Sequence, residues 1–324
     1  MRVLVTGAFG YIGAAVGRRL ALAGHDVVAV TSRPPGTTPA TPFPCQVLRA
    51  DLRDETSVRA ALAAARPDAV CHLAGLGKVR ESFERPRDYH AVNTGGTKAL
   101  LDALTATATV PETRFVFASS VAVYGVPERQ PVTEDAPLLP TSPYGESKVA
   151  AEQAVATAAA DSAAADSAAG DCAVGAVCLR IFNAAGAVAG VPDTNLSRVI
   201  PKALAVAAGQ ADCIEVNGDG STVRDFVHVD DVASAFLLAL ENGCRPGKAA
   251  TYNVGATAAS VAEILAVAGE VTGRPIPVVR KPPRNEPQVL TSDHARIGAE
   301  LGWSPARSAL RDIVADAWDA VSRS

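Results

Sequence analysis

Tyr144 and Lys148 stand four residues apart in Tyr144-Gly145-Glu146-Ser147-Lys148. On a helix that spacing puts a phenol and an ammonium on one face, one turn apart. A nearby ammonium stabilises phenolate and pulls down a pKa that starts near 10, so such a tyrosine can exchange a proton with a substrate hydroxyl. Ser119 and Ser120 close an apolar run and supply a hydroxyl for the same substrate oxygen. Oxidising the carbon beneath that hydroxyl also needs a hydride acceptor. A place for one follows the first apolar run, in Thr6-Gly7-Ala8-Phe9-Gly10-Tyr11-Ile12-Gly13, with a helical pattern after it. Glycines at 7, 10 and 13 let the backbone turn tightly and approach a pyrophosphate, whose charge is met by the helix N-terminus. The chemistry indicated is hydride transfer between a nicotinamide dinucleotide and a hydroxyl-bearing carbon.

The end of the second strand decides which dinucleotide is held. An acidic residue there would bind the adenosine ribose hydroxyls; this chain has Thr31, Ser32 and Arg33. A hydroxyl pair followed by a guanidinium suits a 2′-phosphate, so NADP(H) is favoured over NAD(H). The alternative is an Arg33 that faces water at the start of the Pro34-Pro35-Gly36 loop. Asp51, after the third strand, is placed either to accept from the adenine amino group or to serve a helix cap or loop.

The elements that must position these groups alternate from the first residue. Apolar runs at Val3–Val5, Val27–Val30, Val47–Arg49, Val70–Leu73, Phe115–Ala118 and Val177–Ile181 read as short buried strands. Between them lie helical patterns over 12–23, ended by Gly24, over 54–65, capped by Asp54, and over 93–104. Strands apolar throughout and separated by helices mean a parallel sheet covered on both faces, an α/β doubly wound fold of Rossmann type. Beyond the sixth strand the pattern turns irregular, with Pro192, Pro201, Pro246 and a proline-rich run from Pro275 to Pro287. The expected division is a dinucleotide-binding domain over 1–186 and about 221–244, a smaller discontinuous substrate lobe over about 187–220 and 245–310, and a C-terminal helix over 311–324. An Ala/Asp/Ser-rich stretch over 154–174 carries Ala-Ala-Asp-Ser-Ala at 159–163 and again at 164–168. One duplication cannot build a repeat fold, so an overlong helix end or a surface loop is expected.

The 324 residues, 48% hydrophobic, supply a large core. A net charge of −4 and scattered Lys and Arg argue against a nucleic-acid partner, though local arginines can still hold an anionic small substrate. The cysteines at 45, 71, 172, 178, 213 and 244 form no CxxC pair and read as reduced thiols. The histidines show no metal spacing, and no metal is expected. No signal-peptide shape or membrane-length apolar run is present, so the protein reads as cytoplasmic with no membrane partner.

The chain resembles the extended short-chain dehydrogenase/reductase family of the epimerase/dehydratase type, and within it the nucleotide-sugar 4-epimerases and sugar 4-ketoreductases. The matching stretches are VTGAFGYIG at 5–13, ADL at 50–52, HLAGLGKVRESFERP at 72–86, FASSVAVYG at 117–125, SPYGESK at 142–148, LRIFNAAG at 179–186, STVRDFVHVDDVA at 221–233, YNVG at 252–255 and LGW at 301–303. The resemblance implies Ser120, Tyr144 and Lys148 as a catalytic triad, with Lys148 also on the nicotinamide ribose. It implies that Gly7, Phe9, Gly10, Tyr11, Ile12 and Gly13 cradle the pyrophosphate, that Asp51 and Leu52 flank adenine, and that Leu73, Ala74, Gly75, Asn93 and Ala118 line the cofactor channel. Asn183 and Arg224 match a diphosphate site, Glu286 an acid that grips ribose and Thr291 the sugar pocket, with Asn195 and Lys78 among the implied substrate-binding residues. A structural ion pair with Asp225 is the plainer role for Arg224. A homodimer paired through residues 93–104 and 148–155 is implied as well.

Departures from the family pattern bear on the reaction. Dehydratases carry an acid pair where Val121 and Ala122 stand here, so loss of a sugar hydroxyl as water is not expected. Pro283-Arg284-Asn285-Glu286 replaces an Arg-Pro-Gly-Asp stretch, and Gly77 replaces a lysine, with Lys78 one place later. Because exchangeable NADPH suits net reduction, Thr31-Ser32-Arg33 favours a sugar ketoreductase acting at a ring carbon such as C4. The alternative is an NAD-dependent nucleotide-sugar 4-epimerase, which oxidises C4 and returns the hydride to the other face. A catalytically silent dinucleotide-binding regulator is a remote third reading, opposed by the intact Ser120, Tyr144 and Lys148.

Overall fold

The computed structural model describes residues 1–34, 36–108, 110–164, 172–283 and 286–323. Six strands run in chain order: β1 (Arg2–Thr6), β2 (Asp26–Thr31), β3 (Gln46–Arg49), β4 (Ala69–His72), β5 (Glu112–Ser120) and β6 (Ala173–Ile181). Five more, β7 (Asn183–Ala185), β8 (Ala187–Val188), β9 (Val191–Pro192), β10 (Ile214–Asn217) and β11 (Val223–His228), precede β12 (Ala249–Val254). The last are β13 (Thr257–Ser260), β14 (Val278–Lys281) and β15 (Val289–Leu290). The main sheet is parallel, in the order β12-β6-β5-β4-β1-β2-β3. Val3, Leu4 and Val5 are wholly buried because each side of β1 meets a helical layer. The strand order reverses direction between β1 and β4, which opens a crevice at their carboxyl ends.

Two apolar cores lie on the two faces. On one, α1 (Tyr11–Leu22) contributes Val16 and Leu20 and, further along the chain, a helix over Val229–Leu238 contributes Val232 and Phe236. On the other, α2 (Glu55–Ala65), α5 (Gly96–Thr107) and α6 (Pro143–Ala164) pack Leu62, Leu100, Leu104, Ala151 and Val155 against Phe115 and Phe117. The short α3 (Val79–Glu84) and α4 (Pro86–Tyr89) fill the loop after β4. A π-helical turn over His90–Gly95 leads into α5, so the helix expected from Asn93 begins in a wider turn. The remaining helices are α7 (Val199–Ala207), α8 (Val229–Leu238), α9 (Val261–Thr272), α10 (Ala295–Leu301) and α11 (Leu310–Ser322). A third core joins α7, α9 and α11 through Leu204, Ile264 and Ile313 to Ile214 and Phe226 of two small sheets.

Two placements differ from the sequence expectation. Residues 249–254, expected in the second lobe, form the seventh strand of the main sheet, with Tyr252 and Val254 in its core. The polar Asn253 between them hid the strand, because its buried amide is fully engaged with Tyr124, Val132 and Asp293. Conversely β11, expected with the first lobe, pairs with β7, β13 and β15, and only α8 behind it returns to α1. The first Ala-Ala-Asp-Ser-Ala copy lies in α6, and the second falls almost entirely outside the described residues. Among the described residues no helix is long and apolar enough to cross a membrane.

Candidate active site

The glycine loop joins β1 to α1 with backbone in direct contact. Gly7 has φ +73°, and a Cβ on it would meet the Ala74 amide nitrogen at 2.7 Å. The Gly10 amide donates to the Gly7 carbonyl at 2.9 Å, and no side chain caps α1. That uncapped helix start, approached by glycines alone, fits a pyrophosphate. Phe9 and Ile12 pack on the core beside it. Tyr11 is anchored across the crevice, its hydroxyl donating to Gly186 O at 2.8 Å. Next to the loop, Ser32, Asp51, Leu52, Ala74 and Gly75 bound a hollow of about 340 Å³. Asp51 accepts from the Arg53 guanidinium at 2.6 Å, which holds its carboxyl below the usual range. Leu73 N donates to Thr6 O and Ala74 N to Thr6 Oγ1, tying β4 to β1 at the crevice. Asn93 grips the backbone of Leu76 from both sides, accepting from its N–H at 2.8 Å and donating to its carbonyl at 3.0 Å. Its role in the described structure is thus to shape the loop that flanks the channel.

At the carboxyl end of β5, the Ser120 side chain lies close enough to the phenol of Tyr144, which projects from the first turn of α6, to act on it. The Tyr89 ring stands edge-on to that of Tyr144, 6.2 Å between centroids, and the Tyr89 hydroxyl donates to Lys78 O at 2.7 Å. Burial raises the Tyr144 pKa above its ordinary value; Ser120 and the Arg198 guanidinium oppose that rise. Lys148 is buried and its Nζ donates to the Ala118 carbonyl at 2.8 Å, above the Phe117 ring. Burial pulls its pKa down to about 8, against the attraction of Glu152. The expectation that Lys148 depresses the Tyr144 pKa is not met in this arrangement, because burial raises that pKa and the opposing contributions come from Ser120 and Arg198.

A hollow of about 660 Å³ is lined by Arg80 from α3 and by Arg198, Lys202, Asn217, Arg224 and Glu286 among others. Arg224 donates to Glu286 at 2.9 Å and to Pro287 O at 2.8 Å. It does not pair with Asp225, which points to the other side of the strand and accepts from Ala256 N and Ser292. Asn183 donates to Asp225 O, and Asn195 accepts from Ser197. Thr291 donates to Gln130, and the exposed Lys78 lies near Glu81. Arg284 lies outside the described residues. Arg80, Arg198 and Lys202 were not singled out from sequence, although Arg80 stands inside the quoted HLAGLGKVRESFERP stretch.

Residues 3–255 match the family model described as the NAD dependent epimerase/dehydratase family. The chain belongs to that family. It is 38% identical over 332 residues to a UDP-glucose 4-epimerase of Streptomyces lividans, covering 98% of this chain and 95% of the relative. Among solved structures, UDP-glucose 4-epimerase from Stenotrophomonas maltophila, with bound NAD and formylated UDP-arabinopyranose, superposes with a TM-score of 0.87 at 34% identity. That match covers 100% of this chain and 99% of the other. The Bifidobacterium longum UDP-glucose 4-epimerase, in complex with NAD+ and UDP, gives 0.86 at 29% identity over 99% and 98%. The chain is therefore an enzyme of the sugar-nucleotide epimerase type with a Rossmann fold.

This membership corrects the cofactor expectation. The neighbours hold NAD, not NADP. The geometry supplies the physical reason: the Thr31 hydroxyl accepts from the Arg33 amide at 3.2 Å. Thr31 and Arg33 line a hollow with Phe9 and residues 36–49, whereas Ser32 faces the one with Asp51, Leu52, Ala74 and Gly75. With NADP set aside, the argument for net reduction falls as well.

Proposed function

We propose that this chain is an NAD-dependent UDP-glucose 4-epimerase. The observation that carries the reading is the Ser120–Tyr144 contact beside a buried Lys148, with the charge of Arg198, which lines the arginine-bearing hollow, acting on the phenol. When bound in the Gly7–Gly13 cradle, NAD would supply a hydride acceptor that later returns what it takes. Tyr144 would accept the C4 hydroxyl proton, Ser120 would hold the same oxygen, Ser120 and the Arg198 charge would favour the charged phenol, and Lys148 would hold the nicotinamide ribose. With the C4 ketone formed, rotation of the sugar presents its other face, and Tyr144 returns the proton. Arg224 would meet the diphosphate, joined by Asn183 and Asn195, and Glu286 the uridine ribose. On this reading the first lobe holds the dinucleotide and the second the sugar nucleotide, in a homodimer whose mass sedimentation can test.

The deciding experiment is to denature purified protein and identify any released nucleotide, then supply UDP-galactose without added cofactor. The expected outcome is stoichiometric NAD and conversion to UDP-glucose. Protein that requires added NAD(P)H, consumed mole for mole with sugar, would reject the reading.

A further inference from the structure

Glu152 lies one helical turn beyond Lys148 on α6 and is buried. Its carboxylate accepts from Arg180 Nη2 at 2.7 Å and Nε at 3.0 Å, and from the Ser119 hydroxyl. Arg180, on β6, is equally buried, and its Nη1 donates to the Tyr124 hydroxyl and to Glu134 O, both at 2.9 Å. The Tyr124 hydroxyl donates to Asn253 Oδ1 at 2.7 Å, and the Asn253 amide donates to Val132 O at 2.8 Å. One connected line of polar groups thus runs from beneath Lys148, across β5, β6 and β12, to the Val132–Ser292 bridge at the second lobe.

A buried ion pair rarely stabilises a fold better than apolar residues of the same volume. Its position suggests a different use. Lys148 is faced by Glu152 from its own helix, by Cys178 on β6, by His72 on β4, and by the Ala118 carbonyl and the Phe117 ring on β5. His72 and Cys178 are deeply buried and held neutral, His72 low and Cys178 high. Glu152 is therefore the one carboxylate in this set, and Arg180 and Ser119 fix where its charge sits.

We propose that Glu152, clamped by Arg180 and Ser119, is a positioning residue that keeps Lys148 cationic in its dry site and holds the Ala118–Ser120 strand end in place for proton transfer. The proposal rests on the epimerase reading for its catalytic consequence, whereas the state of Lys148 is measurable without substrate. A carboxylate one helical turn away, where Cβ atoms stand about 5–6 Å apart, moves a lysine midpoint by about one to two pH units at an effective dielectric near 20.

The test compares Glu152→Gln, Glu152→Asp and the double variant Glu152→Gln/Arg180→Gln with the wild-type protein. The Lys148 Nζ titration is read by lysine-selective 15N labelling and assigned with Lys148→Arg. In the wild type it should centre near pH 8. Glu152→Gln should lower that midpoint by about one pH unit or more, and Glu152→Asp should keep it. The double variant, which leaves no lone guanidinium, replaces the single one if that fails to fold, and should lower the midpoint too. In UDP-galactose turnover the alkaline limb of kcat should move to lower pH with KM little changed. If the midpoint stays in place while melting temperature falls, the pair is structural and the proposal is overturned. If the midpoint moves in a protein that turns over no UDP-sugar, only the epimerase reading fails.

Discussion

A Cβ added to Gly13 would stand 2.0 Å from the carbonyl oxygen of Gly7. Loop and helix meet there backbone to backbone, so no rotamer change relieves an alanine. Gly13→Ala must push α1 off the loop, and we expect it to cost about 1–3 kcal/mol of stability together with the bound nucleotide. Urea unfolding measures the first and nucleotide content of the purified protein the second. A variant that unfolds like wild type and still carries nucleotide ends the close-packing argument.

His72 carries a proton arrangement dictated by its neighbours. Thr97 gives its hydroxyl proton to Asn93 O at 2.6 Å, so it accepts from His72 Nε2 at 3.0 Å. That leaves Nδ1 to accept from Thr6 Oγ1 at 2.6 Å. The ring is neutral, and burial, aided by the Lys148 charge, pushes its pKa down to about 3. The folded pKa lies below the unfolded one, so the unfolded chain takes up the proton first as pH falls. Stability tied to the neutral ring is present above about pH 6.5 and drains toward pH 3, at up to about 1.4 kcal/mol per pH unit. His72→Gln removes that dependence. The stability gap between wild type and variant should therefore shrink between pH 7 and pH 5, and a constant gap would contradict the account.

Arg224 spends its guanidinium on Glu286 and two backbone carbonyls, yet it lines the hollow that Arg80, Arg198 and Lys202 share. If it meets a diphosphate, Arg224→Ala should raise KM for UDP-galactose by about 10- to 100-fold, the worth of a charge-assisted hydrogen bond, with kcat little changed. Tyr144→Phe should do the reverse, lowering kcat by about 10²- to 10⁴-fold while nucleotide content stays. Loss of kcat alone in the arginine variant would move Arg224 out of the binding role.

How much of this was legible in the sequence depended on the kind of signal. The parallel sheet showed because β1, β2, β4, β5 and β6 are apolar runs, buried on both faces. Tyr144 and Ser120 could be brought together on paper because one opens a helix and the other ends a strand. Strand β12 escaped because Asn253, polar and wholly buried, interrupts its apolar pattern and is satisfied only by distant residues. The pKa of Tyr144 escaped for a related reason: helical spacing puts Lys148 on the same face but does not say where Nζ points. Glu152 and Arg180 lie far apart in sequence, and nothing local announces their pairing.

Arg33 shows the same gap between residue type and direction. Its type suits a 2′-phosphate, but the structure places it with Thr31, Phe9 and residues 36–49 in a hollow that does not include Asp51 or Leu52. NAD lacks the 2′-phosphate that a guanidinium there would bind. Arg33→Ala should therefore change the Kd for NAD by less than about twofold, read by titration onto protein stripped of nucleotide. A tenfold weakening, about 1.4 kcal/mol, would return the guanidinium to the adenosine end of the site and require the loop after β2 to close over the cofactor.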